Sequence, residues 1–112
     1  MNAKEFRVEL EKIMPGYKWT VHQSRSVGYL CATGTQSSGF NRLSTLQVGR
    51  TEHGDGVVCY EAKSAGYGLK ARWLHCHSDK TLARALRGLQ DYYECMANEY
   101  RSHASYLEGA RK

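Results

Sequence analysis

The chain has 112 residues, 41% hydrophobic and 24% charged, and carries a net charge of +5. That length and balance predict one folded domain with a real core and exclude wholesale disorder. The positive excess favours acidic partners, whether nucleic acid, nucleoprotein or an acidic protein surface, and argues against mimicry of nucleic acid.

The excess is not uniform. Lys4, Arg7 and Lys12 are cancelled by Glu5, Glu9 and Glu11, and residues 91–112 are close to neutral, so the basic part is the middle, Lys18 to Arg87. The four cysteines, at 31, 59, 76 and 95, have no C-x-x-C spacing, which sets aside a disulfide scaffold and a structural zinc site. No apolar run approaches twenty residues and no charged-then-apolar leader opens the chain, so a cytoplasmic protein without a membrane partner is expected.

In chain order, Asn2 with Glu5 three residues on forms a capping box, and Phe6, Leu10 and Ile13 share one face of a first helix that Pro15-Gly16 stops. The period then changes to two. Tyr17, Trp19 and Val21 alternate with Lys18, Thr20 and His22 in a half-buried strand. A polar turn over Gln23 to Ser26 leads to a second strand, Val27 to Thr33, with Leu30 and Ala32 on one face and Tyr29, Cys31 and Thr33 on the other. Both faces of that strand are expected to be covered.

Gly34-Thr35-Gln36-Ser37-Ser38-Gly39 reads as an exposed small-residue loop. Two glycines flanking four residues resemble a phosphate loop, but Phe40-Asn41 stands where Lys and Ser or Thr would be required. Leu46 and Val48 belong to a third strand ending near Arg50, and Asp55-Gly56 turns it back into a fourth carrying Val58, Tyr60 and Ala62. Gly66-Tyr67-Gly68 makes the next turn, and a fifth strand is expected from Lys70 to His77, with Trp73, His75 and His77 on one face and Arg72, Leu74 and Cys76 on the other. Ser78 or Asp79 is the expected cap of the longest element, a helix to about Leu107 with an internal Gly88 that implies close packing or a bend. The fold class is therefore α+β: an N-terminal helix, a four- to five-stranded mainly antiparallel sheet and a long C-terminal helix.

Length divides that last helix. From Asp79 to Leu107 it spans about 40 Å, whereas strands of six to eight residues span about 20 to 25 Å. Leu82, Leu86 and Leu89 are expected to cover the sheet. Tyr93, Met96, Tyr100, His103 and Leu107 continue the seam beyond it and are the expected self-association residues of a homodimer. His103 interrupts the aliphatic pattern, which disfavours a plain leucine zipper and makes the contact sensitive to pH.

Chemistry-bearing residues are sparse. His75 and His77 point the same way on a strand and Cys76 points oppositely, so the triplet lacks the ligands for a metal without recruiting distant groups. A Cys-His nucleophile is formally available around Cys31, Cys59 and Cys76, but no nucleophile elbow or paired carboxylate accompanies it. No cofactor and no catalysis are expected. Basic and aromatic residues are the stronger signal. Arg25, Arg42, Arg50, Lys63, Lys70 and Arg72 fall on strands or turns among Tyr29, Tyr60, Tyr67 and Trp73. Such a mixture grips phosphates and stacks bases, or anchors a protein interface where Tyr, Trp and Arg dominate binding. Arg25, Arg42, Arg50, Tyr67, Lys70, Arg72 and Trp73 are the expected partner-binding residues.

A single domain ordered helix, antiparallel strands, helix, with a tyrosine-rich basic middle from Tyr17 to Arg87, resembles the small accessory proteins of phages and mobile elements, including anti-CRISPR and other host-defence inhibitors. The resemblance covers the whole chain as architecture and is carried by no residue motif. It implies a non-enzymatic protein that docks on a host protein or nucleoprotein complex and inhibits it. The alternatives are a small basic module that binds nucleic acid directly and a small metal- or cysteine-dependent enzyme.

Overall fold

A computed structural model describes residues 1–23 and 26–111. Helix α1 (Ala3–Ile13) leads into a meander of five antiparallel strands, β1 (Lys18–His22), β2 (Tyr29–Ser38), β3 (Asn41–Glu52), β4 (Val58–Ala65) and β5 (Trp73–Asp79), and helix α2 (Leu82–Ala110) closes the chain. The strands neighbour one another in chain order, as short hairpin connections dictate. The α+β expectation is met, with five strands and a wholly antiparallel sheet.

Asn2 caps α1 as the capping box requires. Its side chain accepts from the Glu5 amide at 2.9 Å, and its own amide donates to Glu5 Oε1 at 3.3 Å. Phe6 and Leu10, one turn apart, are fully buried against the sheet. Trp19 stands beside them and donates from Nε1 to the Met14 carbonyl at 3.2 Å, which ties the end of α1 to the first strand.

Both helices lie on the same face of the sheet. That face holds the core: Phe6 and Leu10 from α1, Trp19, Ala32, Leu46, Val48, Tyr60 and Ala62 from β1 to β4, and Leu82, Ala85 and Leu89 from α2. The other face carries no helix, so Thr20, Thr33, Gln47, Lys63 and Cys76 form one cross-strand row of it, in register across all five strands. The expectation that both faces of β2 are covered is thus corrected. An antiparallel sheet needs only one packed face, and the short polar and small side chains of this row suit the open one.

Several boundaries differ from the sequence reading. Strand β2 begins at Tyr29 rather than Val27, and β5 at Trp73 rather than Lys70, which leaves Lys70 and Arg72 in the loop before it. Residues 34–38 are strand rather than loop: β2 runs to Ser38 and pairs with a longer β3 that starts at Asn41. Gly34 is required there because it faces Trp19 across β1 and β2, and an added Cβ would lie 2.9–3.0 Å from the indole ring. Helix α2 is capped by Thr81, not Ser78 or Asp79, since β5 continues through Asp79 and Thr81 Oγ1 accepts from the Arg84 amide at 3.2 Å. Finally, a bulge opposite Ser64 and Ala65 inserts Leu74, so Trp73 pairs with Ala65 while His75 pairs with Ser64. The extra residue turns Trp73 to the open face, away from His75 and His77.

Helix α2 is about 43 Å long at 1.5 Å per residue. Its first half covers β4 and β5, with Tyr93 Oη and Ser64 Oγ 2.6 Å apart. Gly88 admits the His77 ring against the helix backbone, so the glycine marks close approach. From Ala97 onward every described residue of α2 is exposed. The molecule measures 61 × 36 × 23 Å as a result.

Candidate functional site

The β2–β3 hairpin and the β4–β5 loop end on the same side of the molecule and are fastened together. The Gly68 amide donates to the Arg42 carbonyl at 2.8 Å, and Tyr67 Oη donates to Asn41 Oδ1 at 2.9 Å. Gly39 and Gly68 adopt φ of 60° and 108°, which allows the two tight reversals that bring these tips together.

This corner gathers five of the seven expected partner-binding residues: Arg42, Tyr67, Lys70, Arg72 and Trp73. Lys63 joins them, its Nζ 4.7 Å from the centroid of the Trp73 ring, a cation–π contact on the open face. Arg42 reaches the same face, where Nη1 donates to Thr45 Oγ1 at 3.3 Å and Nε has no partner among the described residues. Phe40 at the hairpin tip is fully exposed, and Leu43 on the same hairpin and Tyr67, Leu69 and Leu74 on or beside the β4–β5 loop are exposed as well. Phe40, Leu43, Leu69 and Leu74 were not foreseen as site residues. Their signal was apolar side chains at hairpin tips and at a bulge, where neither strand face claims them.

Electrostatics are one-sided. Residues 35–49 and 62–78 hold Arg42, Lys63, Lys70 and Arg72 and not one Asp or Glu. The corner therefore presents Arg42, Lys70 and Arg72 with no carboxylate on their own segments, while Lys63 shares the open face of β4 with Glu61.

Two expected residues stand apart. Arg25 lies outside the described residues. Arg50 is on the helix-bearing face and only 12% exposed in its side chain; Nε donates to Tyr60 Oη at 3.1 Å and Nη1 pairs with Glu52 at 3.4 Å. Burial by itself would lower its pKa, but the Tyr60 and Glu52 contacts outweigh burial and raise it. Arg50 is thus a structural cation that satisfies the buried Tyr60 hydroxyl. Its sequence signal was identical to that of Arg42, because charge alone does not say which face a strand residue takes when its neighbours are glycine and threonine.

The histidine triplet is occupied by packing. His75 is stacked on Tyr92 of α2, with ring centroids 3.5 Å apart and planes 6° from parallel. His77 lies against Gly88 and 4.0 Å from Asp79, and Cys76 faces the other way, opposite Lys63. A second depression on the open face, about 270 Å³, is lined by Tyr29, Cys31, Gln47, Gly49, Thr51, Glu61 and Lys63. There Gln47 Nε2 donates to Cys31 Sγ at 3.3 Å. Burial, together with Cys31 and Glu61, raises the pKa of Tyr29 above the ordinary tyrosine value.

Between α1 and α2 runs an apolar groove of about 640 Å³, walled by Ile13, Met14 and Tyr17 on one side and by Leu86, Gln90 and Tyr93 on the other, with Leu46 and Ser44 in its floor. Tyr17 Oη and Ser44 Oγ are 2.8 Å apart along that floor. Of the expected self-association residues, Tyr93 serves its own domain through Ser64, Met96 is half-buried, and Tyr100, His103 and Leu107 project free of the sheet.

Compared with known proteins, the chain matches no family model, no curated protein and no solved structure.

Proposed function

We propose that this chain is a non-enzymatic binding protein whose basic, apolar corner docks on an acidic surface of a host protein or nucleoprotein complex and blocks the use of that surface. One observation carries the reading: Arg42, Lys70 and Arg72, on segments that hold no carboxylate, share with exposed Phe40, Tyr67, Leu69 and Trp73 a corner where two hydrogen bonds join the hairpin to the loop. Aromatic and arginine side chains at such a corner supply the anchoring contacts of protein interfaces, and the charges supply orientation and encounter rate. Inhibition as the outcome of docking follows from the resemblance to phage accessory proteins. The stacking of His75 beneath Tyr92 supports a structural use of the histidine triplet rather than a catalytic one.

Direct binding of nucleic acid is the second reading, favoured by Lys63 over Trp73 and by exposed Tyr67 on the adjoining loop. The leucines favour the first. Leu43, Leu69 and Leu74 offer nothing to phosphates and little to bases, whereas they extend the apolar centre that a protein interface buries.

The test is capture of the partner by the tagged chain from nuclease-treated host extract at about 0.15 M salt, where exposed charges more than about 8 Å apart are screened. A protein retained under those conditions supports the proposal. Loss of the partner on nuclease treatment, together with a random DNA or RNA complex that persists at that salt, would replace it with the second reading.

A further inference from the structure

The projecting half of α2 and the groove between the helices are each incomplete, and α2 carries a pattern that fits one to the other. A helical stretch of some fourteen residues is marginal alone in water, yet residues 97–110 extend without a tertiary partner among the described residues. The radius of gyration of 17.0 Å, against about 13 Å for a compact domain of this length, comes from that projection.

Along the groove side of α2 run two rows at seven-residue spacing. One is slim at three of its four positions: Ala83, Ala97 and Ala104, with Gln90 the longer member. The other is large: Leu86, Tyr93, Tyr100 and Leu107. All eight are at least partly exposed, and the four proximal members line the groove. The four distal members repeat the same alternation over solvent. Slim and large rows interlock when two helices run antiparallel, because each large side chain then lies over a slim one of the other helix. One register meets this condition at three of four pairs: Ala83 meets Leu107 of a second copy, Leu86 meets Ala104, and Tyr93 meets Ala97, while Gln90 lies against Tyr100 with a polar side chain that can follow the ring edge.

Arg87, Glu94, Arg101 and Glu108 follow one another at seven-residue intervals with alternating sign along the solvent edge of these rows. In the register above each of these charges lies between one of its own sign and one of the opposite sign on the second copy, Arg87 between Arg101 and Glu108, so the charged edge accommodates the register and the side-chain sizes select it. On the opposite edge, toward the sheets, come Leu89, Met96 and His103, so apolar residues lie below and charges above. A parallel pair would leave both grooves empty and both projections unsupported.

We infer that two copies associate by antiparallel packing of α2 on α2, the distal half of each helix lying in the groove between α1 and α2 of the other. The occupant of the groove is thus a second copy of this chain. The contact uses the helix-bearing face, so both docking corners stay free, and self-association stands or falls independently of the proposed function.

Sedimentation velocity at about 0.1 mM protein tests it, at a concentration where mass action favours even a modest association. The unaltered chain is expected to sediment as a dimer and Tyr100→Glu/Ala104→Glu as a monomer with unchanged circular dichroism, since both sites are exposed. Register is read by oxidation in a Cys76→Ser/Cys95→Ser background: Ala83→Cys/Leu107→Cys forms a covalent dimer, and Leu107→Cys alone does not. A monomeric unaltered chain, a dimer that survives Tyr100→Glu/Ala104→Glu, or cross-linking by Leu107→Cys alone would overturn the inference.

Discussion

Gly34→Ala probes the most crowded point of the sheet. A methyl group there would lie 2.9–3.0 Å from three atoms of the Trp19 ring, inside van der Waals contact by several tenths of an ångström. The indole cannot yield easily: it is 5% exposed, sits among Phe6, Leu10 and other core residues, and is held by its bond to the Met14 carbonyl. Overpacking of this kind costs about 1–3 kcal/mol, while removing a glycine from a strand returns about 0.5–1 kcal/mol. The net expectation is a loss of up to about 2.5 kcal/mol, centred near about 1 kcal/mol, read as a lower urea midpoint at unchanged m-value. In a Trp19→Phe background the smaller ring leaves room, and the same substitution should cost less than about 0.5 kcal/mol, a coupling that only contacting residues show. An equal penalty in both backgrounds, or none in either, would refute the placement of Trp19 over Gly34 and with it the extension of β2 to Ser38.

Three further outcomes are expected. Gly88→Ala should destabilise despite the better helix propensity of alanine, because its methyl group displaces the His77 ring, and His77→Ala should reverse the sign; thermal melts of the two single variants and the double variant check this. Arg50→Met should lower stability by about 1–2 kcal/mol through loss of the Tyr60 and Glu52 contacts while leaving partner capture intact, which separates it from Arg42. Tyr29 holds its proton more tightly in the folded state, so its share of stability is fully present below the ordinary tyrosine pKa and is lost as pH rises through the raised folded value. Tyr29→Phe should therefore flatten the alkaline limb of a stability–pH curve, and an unchanged limb would contradict the assignment.

The order of elements was readable from the sequence because periodicity was strong where one face is buried. Phe6 and Leu10 marked a helix, Trp19 with Val21 and Tyr60 with Ala62 marked strands, and Leu82 and Leu89 marked the closing helix. Where both faces are polar or small, as over Thr35 to Ser38, there is no alternation to read, and strand was mistaken for loop. The Leu74 bulge escaped for a different reason. It depends on pairing with Ser64 and Ala65, a property of two strands that one strand's pattern cannot show. The corner itself was half visible: Arg42, Tyr67, Lys70, Arg72 and Trp73 are separate in sequence, and only the bonds from Gly68 and Tyr67 to the neighbouring hairpin bring them together. Arg50 stands apart from the corner, on the helix-bearing face, and nothing in its own letter distinguishes a guanidinium that satisfies a buried hydroxyl from one left at the surface.

The most direct test of the docking account reverses the charge of the corner without touching the core. Arg42→Glu/Arg72→Glu and the unaltered chain would be compared for capture of the same partner from nuclease-treated extract, with Lys4→Glu/Lys12→Glu, exposed on α1, as a charge-matched control. The account predicts that the corner variant loses the partner by at least about tenfold, the equivalent of 1.4 kcal/mol, while the control binds as the unaltered chain does. Equal capture by the corner variant would contradict it.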